Sequence, residues 1–152
     1  MIKGYSYKLT VISIVAVFVF TYAYDMLVHG ALLAGLYAQS ASVWRDEAGM
    51  RATMPLCFFL HFAIACVLTS LFIYLKANGD RDARKYPNLS RGLFFGVHIG
   101  LLMGLGMAFS FVTLPVSFEL GLAWFAAGLL KGIGVGLVLA FLTGRSSIAE
   151  VK

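Results

Sequence analysis

A row of regularly spaced glycines constrains this chain more than any other feature. Gly92, Gly96, Gly100 and Gly104 recur at every fourth position, and Ala108 continues the row. Beyond Pro115 a second row follows: Gly128, Gly132, Gly136, Ala140 and Gly144. A four-residue step puts such residues on one stripe of a helix. In water each of these glycines would weaken a helix by about 1 kcal/mol relative to alanine. In lipid no water competes for the backbone, so its hydrogen bonds must be made internally, and small residues let two backbones approach closely. The two rows therefore predict a tightly packed membrane hairpin. They speak to architecture more than to activity.

The rest of the chain agrees with a membrane setting. Of 152 residues, 61% are hydrophobic and 12% charged, against about 25% charged in a soluble domain. Four apolar stretches, at about 9–37, 54–75, 92–113 and 120–143, are each long enough to cross a bilayer. The first has the basic start of a signal peptide, but Thr21-Tyr22-Ala23 is a poor cleavage site and the apolar run continues past it, so an uncleaved anchor is expected. Pro55 is expected in the first turn of the second span, where its missing N–H costs little. Residues 76–91 form the most polar stretch, with Asn78-Gly79 as a turn, and Pro115 sits in a tight connection. Strand alternation is lacking. The expected fold is an all-α membrane protein, a compact four-helix bundle with glycine-striped third and fourth helices, and 1–152 form a single transmembrane domain.

Basic residues set the expected orientation. With the N-terminus inside, the inner side holds Lys3, Lys8, Lys76, Arg81, Arg84, Lys85, Arg91, Arg145 and Lys152, and the outer side only Arg45 and Arg51. Both termini are therefore expected in the cytoplasm, and the Asn88-Leu89-Ser90 sequon carries no meaning. The formal charge of +5 belongs to short loops facing lipid headgroups, so the bilayer and not nucleic acid is the expected contact. Cys57 and Cys66 lie too far apart on one helix for a disulfide and have no metal spacing.

Five ionisable residues fall inside the spans: Asp25, His29, His61, His98 and Lys131. Charges facing lipid cost several kcal/mol, so these should turn inward and find partners. Asp25 and His29 are spaced i,i+4 on one helix face. Lys131 lies roughly 16 Å into the fourth span from Leu120, which predicts an Asp25–Lys131 pair. Lys131 should meet the first helix across the bundle, and His98 should point away from the glycine seam. The pair has two readings: a buried device that fixes helix order, or, with His29 and His61, a proton relay or polar-substrate site. His29 and His61 at one depth would also suit the axial ligands of a b-type haem. No hydrolase, Walker, zincin or redox-cysteine motif is present, so no enzyme, resident metal or other cofactor is expected. Trp44, Arg45, Asp46, Glu47 and Glu119 read as interfacial residues and a solvated loop.

A frame V-H-x-x-L-L-x-G-L occurs at Val28–Leu36 and again at Val97–Leu105, spans that run in the same direction, as a parallel duplication would require. His29-Gly30 followed by Leu32, Leu33 and Tyr37, then Trp44-Arg45 and Met50, with Gly92-Leu93 and Gly96 opening the third span, resembles uncharacterised small four-span proteins of the bacterial inner membrane. The resemblance implies that fold and location, and no activity. Small size and striped faces point first to a non-enzymatic accessory or assembly component of a membrane complex. The alternative is a small homodimeric transporter of protons, ions or a small solute using Asp25, His29, His61 and Lys131. A haem-binding protein is the third reading.

Overall fold

The structure, a computed structural model, describes residues 6–78 and 88–144. Lys3, Arg81, Arg84, Lys85, Arg145, Lys152, Gly79 and Pro87 lie outside the described residues. α1 (Tyr7–Leu27) runs into a π-helical turn (Val28–Leu32), a short α2 (Ala34–Ala38) and a 3-10 turn (Ala41–Val43). Three long helices follow: α3 (Glu47–Asn78), α4 (Asn88–Thr113) and α5 (Phe118–Gly144). Four segments are long and apolar enough to cross a membrane: Tyr7–Leu32, Glu47–Asn78, Asn88–Thr113 and Phe118–Gly144. The chain is thus a multi-pass, all-α membrane protein. Large apolar side chains such as Phe59, Phe94, Leu102 and Phe109 cover its outside, as lipid contact requires.

α4 and α5 form the hairpin, and their backbones nearly touch. A Cβ placed on Gly96 would stand 2.8 Å from the Gly132 carbonyl oxygen and 2.9 Å from Ile133 Cα. One on Gly136 would stand 2.7 Å from Gly96 Cα, and one on Gly104 2.6 Å from the Phe125 carbonyl. Gly92, Gly100, Gly128 and Gly132 sit equally close to the opposing backbone. Gly144 differs: it faces the Asn88 side chain instead of a backbone.

Several boundaries depart from the sequence reading. The first span does not run unbroken to Tyr37. The π-turn, closed by Leu33 N–H on the Val28 carbonyl at 2.9 Å, ends it, and the chain turns at Leu33. The second span begins at Glu47, because the Asp46 carboxylate accepts the Gly49 N–H at 2.8 Å and caps the helix. Pro55 therefore lies inside the helix, and the Arg51 carbonyl loses its usual donor. α4 begins at Asn88, inside the stretch read as loop, since the Asn88 amide reaches the Ala140 carbonyl and Thr143 Oγ1 of α5. The two histidine frames also differ: Val28–Leu36 contains the π-turn and a break, whereas Val97–Leu105 is continuous α-helix.

α1 lies between α3 on one side and the hairpin on the other. Val17, Ala65, Leu68, Phe72, Phe95, Val135 and Leu139 make the apolar core in the half of the bundle near Asn78. There α3 meets α4 through Phe72 and Phe95, whose rings are 5.1 Å apart. In the other half α3 leaves α4, and a cavity opens.

Candidate functional site

The buried face of α1 carries Ser13, Val17 and Thr21, and Asp25 continues it by one more four-residue step. Three helices converge on Asp25. Lys131 Nζ of α5 donates to both carboxylate oxygens, at 3.0 and 2.9 Å. His61 Nε2 of α3 lies 2.9 Å from Asp25 Oδ2. His29 Nε2, one turn along α1, lies 3.8 Å from Oδ1. The Lys131, His61 and Asp25 side chains are only 10%, 13% and 14% exposed. The four relay candidates, Asp25, His29, His61 and Lys131, therefore meet, and the Asp25–Lys131 pair forms across the bundle. His98 does not join them. It is exposed and bonds back to the Phe94 carbonyl at 2.8 Å.

The hydrogen bonds around His61 fix its protons. Nδ1 lies 2.8 Å from the carbonyl oxygen of Cys57 and 3.6 Å from its sulfur. A carbonyl only accepts, so the shorter contact requires Nδ1 to carry hydrogen. Nε2 then faces a carboxylate oxygen at 2.9 Å. Two acceptors at that distance repel, so a proton lies between them: on the imidazole, giving an ion pair, or on the carboxyl. With Lys131 charged, either arrangement leaves one net positive charge at the site.

His29 is held differently. Trp124 Nε1–H donates to the Tyr37 hydroxyl at 2.7 Å, and Tyr37 Oη lies 2.6 Å from His29 Nδ1. Every hydrogen finds an acceptor if Tyr37 donates to Nδ1, which leaves the proton of neutral His29 on Nε2, towards Asp25. The π-turn and the break at Leu33 lie between the two residues, and across them Tyr37 still reaches His29. Trp44 closes the group, its Nε1–H donating to the Tyr37 carbonyl at 3.1 Å, with the Trp44 and Trp124 rings 6.1 Å apart. Burial lifts the Tyr37 phenol above its ordinary value, the Trp124 bond opposes this, and the Asp25 charge adds to the rise. In the sequence Trp44 reads as an interfacial residue, and Tyr37 enters only through the resemblance pattern. Tyr24, whose hydroxyl donates to the Ala127 carbonyl at 2.9 Å, also escaped the sequence reading.

A cavity of about 490 Å³ reaches this cluster, a volume within the range of small-molecule sites. Asp25, His61, Lys131 and Thr21 line its inner wall, Leu56, Leu60 and Ile64 its apolar side, and Arg45, Met50 and Thr53 its mouth. Arg45, read from the sequence as part of a solvated loop, is thus part of the cavity and makes no ion pair among the described residues. Lys131 keeps one ammonium hydrogen beyond those given to Asp25.

The chain matches no protein-family model, no curated protein and no solved structure. The site must speak through its own chemistry. Among the described residues no group of three His, Cys, Asp or Glu is arranged to hold a metal ion. Both nitrogens of His61 are engaged by protein, and Nδ1 of His29 by Tyr37. The free thiols of Cys57 and Cys66 are unbridged.

Proposed function

We propose that this protein is a small, non-enzymatic membrane carrier that takes up and releases a proton at Asp25, in step with a small anionic or polar solute held in the cavity. One observation carries the reading. His61 must bear hydrogen on Nδ1 and also faces the Asp25 carboxylate through Nε2, so a shared proton sits in the membrane interior beside a solvent-sized cavity. Ionisable groups at such depth are costly, and proton relays are a recurring reason to keep them. Lys131 holds Asp25 in place and supplies positive charge to the cavity. Arg45 adds a second cation at the mouth, so an anion is the favoured solute.

The proposed location is a bacterial inner membrane with both termini cytoplasmic, which puts Arg45 and the cavity mouth outside and Lys76 inside. Four spans enclose little space, and a homodimer would complete the walls. The test is proton uptake into vesicles carrying the purified protein and a trapped pH-sensitive dye. Wild type should collapse an imposed pH gradient, and Asp25→Asn should not. Equal rates for the two would sink the proposal.

A second reading also has its own observation. Asp25 accepts from Lys131 twice and from His61 once, so the cluster is satisfied within the protein, as a helix-ordering device would be. In that case the chain is an accessory component of a larger membrane complex. Asp25→Asn would then change assembly and leave the pH gradient as it was.

A further inference from the structure

The proton site accounts for one half of the bundle, and the other half holds two buried hydroxyls that it does not use. Ser13 Oγ on α1 and Thr69 Oγ1 on α3 are buried in residues of 0% exposure, and neither has a hydrogen-bond partner among the described residues. Serine and threonine in helices usually bond back to a carbonyl one turn earlier, as Thr143 does to Leu139 at 2.8 Å. Ser13 and Thr69 do not. An orphaned buried hydroxyl costs about 1–3 kcal/mol, and two of them in one core call for a reason.

Their placement supplies it. α1 and α3 are antiparallel neighbours, and their register is fixed by Asp25 on His61, Tyr22 on His61, and Phe18 on Phe58 and Phe62. Followed along both helices, that register brings Ser13 level with Thr69. Both lie on the Asn78 side of Val17, Ala65 and Val135, which are fully buried. Beyond them, towards the end of the bundle, Lys76 Nζ donates to the carbonyl and hydroxyl of Thr143, each at 3.1 Å. The interior therefore runs from the Asp25 cluster, through an apolar layer at Val17, to two hydroxyls, and then to a polar helix end.

We infer that Ser13 and Thr69 together hold a buried water, and that this water is where the Asp25 proton is handed on across the Val17 layer. A buried water with two to four polar partners is a normal part of a structure, and two buried hydroxyls at one level offer donors and acceptors to it. Ser13 lies about 18 Å from Asp25 along the α1 axis at 1.5 Å per residue. No single hydrogen bond spans that, so Val17, Ala65 and Val135 form the barrier that the proton crosses only when the helices part.

The inference rests on the proton-carrier reading, and the vesicle assay separates the two. Ser13→Ala and Thr69→Val remove the hydroxyls at nearly constant shape, and replacing both partners is close to neutral for stability. The double variant should melt within a few degrees of wild type, while its rate of proton uptake falls at least tenfold. Each single variant should fall less. A double variant with wild-type flux overturns the inference and leaves the carrier reading standing. If Asp25→Asn itself carries wild-type flux, the carrier reading falls first. A double variant that fails to assemble would show that the hydroxyls hold the helices together, which also contradicts the inference, and Thr69→Ser, which keeps the hydroxyl, should restore both assembly and flux.

Discussion

Removing the two ends of the buried ion pair should have unequal effects, and the inequality tests the proton count. Asp25→Asn takes away the only carboxylate in the cluster. Lys131, with 10% of its side chain exposed, then faces a neutral amide, and His61 loses the carboxylate charge that shares its proton. Breaking a buried pair in this way costs about 3–5 kcal/mol. Lys131→Met is different, because His61 still stands 2.9 Å from Asp25 and holds the shared proton against it. What is lost is one charge-assisted contact, the Lys131 ammonium shared between the two oxygens of a single carboxylate, about 1.5–3 kcal/mol. The aspartate variant should therefore be the less stable by about 2 kcal/mol, more than a tenfold difference in the unfolded fraction. The double variant removes the stranded cation and should recover part of the loss, with a coupling of roughly 0.5–3 kcal/mol. Unfolding in mixed detergent micelles, followed by tryptophan emission, measures all three. If Lys131→Met is as damaging as Asp25→Asn, His61 holds no proton against the carboxylate and the reasoning fails.

Other outcomes follow from single contacts. Gly132→Val should destabilise the hairpin by about 1–3 kcal/mol, as overpacking does, because its Cβ has no room beside Gly100. Gly106→Ala has nothing within 4 Å and should leave the melting temperature unchanged. Tyr37→Phe leaves the Trp124 indole N–H without its acceptor and should cost about 1–3 kcal/mol, with a shift in tryptophan emission. Arg45→Gln, at the cavity mouth, should leave stability unchanged and weaken protection of Cys57 from a thiol reagent by an anionic solute; unchanged protection would remove Arg45 from the solute site.

Much of this architecture was legible from residues alone, for reasons that can be named. The glycine rows were readable because a four-residue step has one meaning in an apolar helix. The Asp25–Lys131 pair was readable because two opposite charges in lipid have few other ways to be satisfied. The π-turn was not, since nothing in Val28–Leu32 distinguishes five-residue from four-residue bonding before the fold is formed. The early start of α3 had a signal in Asp46, an ordinary helix cap, which the hydrophobic run starting at Met54 overshadowed. Tyr37 and Trp124 are far apart in the chain, and their bond depends on how α2 packs against α5. Arg45 and the hydroxyls of Ser13 and Thr69 gain meaning only from what does and does not surround them in space.

The claim at the centre of this account is that one proton is shared between His61 and Asp25. Nitrogen NMR of histidine-labelled protein reads the hydrogen on each ring atom directly. The account predicts hydrogen on His61 Nδ1, a His61 Nε2 signal that changes on Asp25→Asn, and hydrogen on Nε2 but not Nδ1 of His29. A His61 ring with bare Nδ1 and hydrogen on Nε2 alone, the same in wild type and Asp25→Asn, would contradict it.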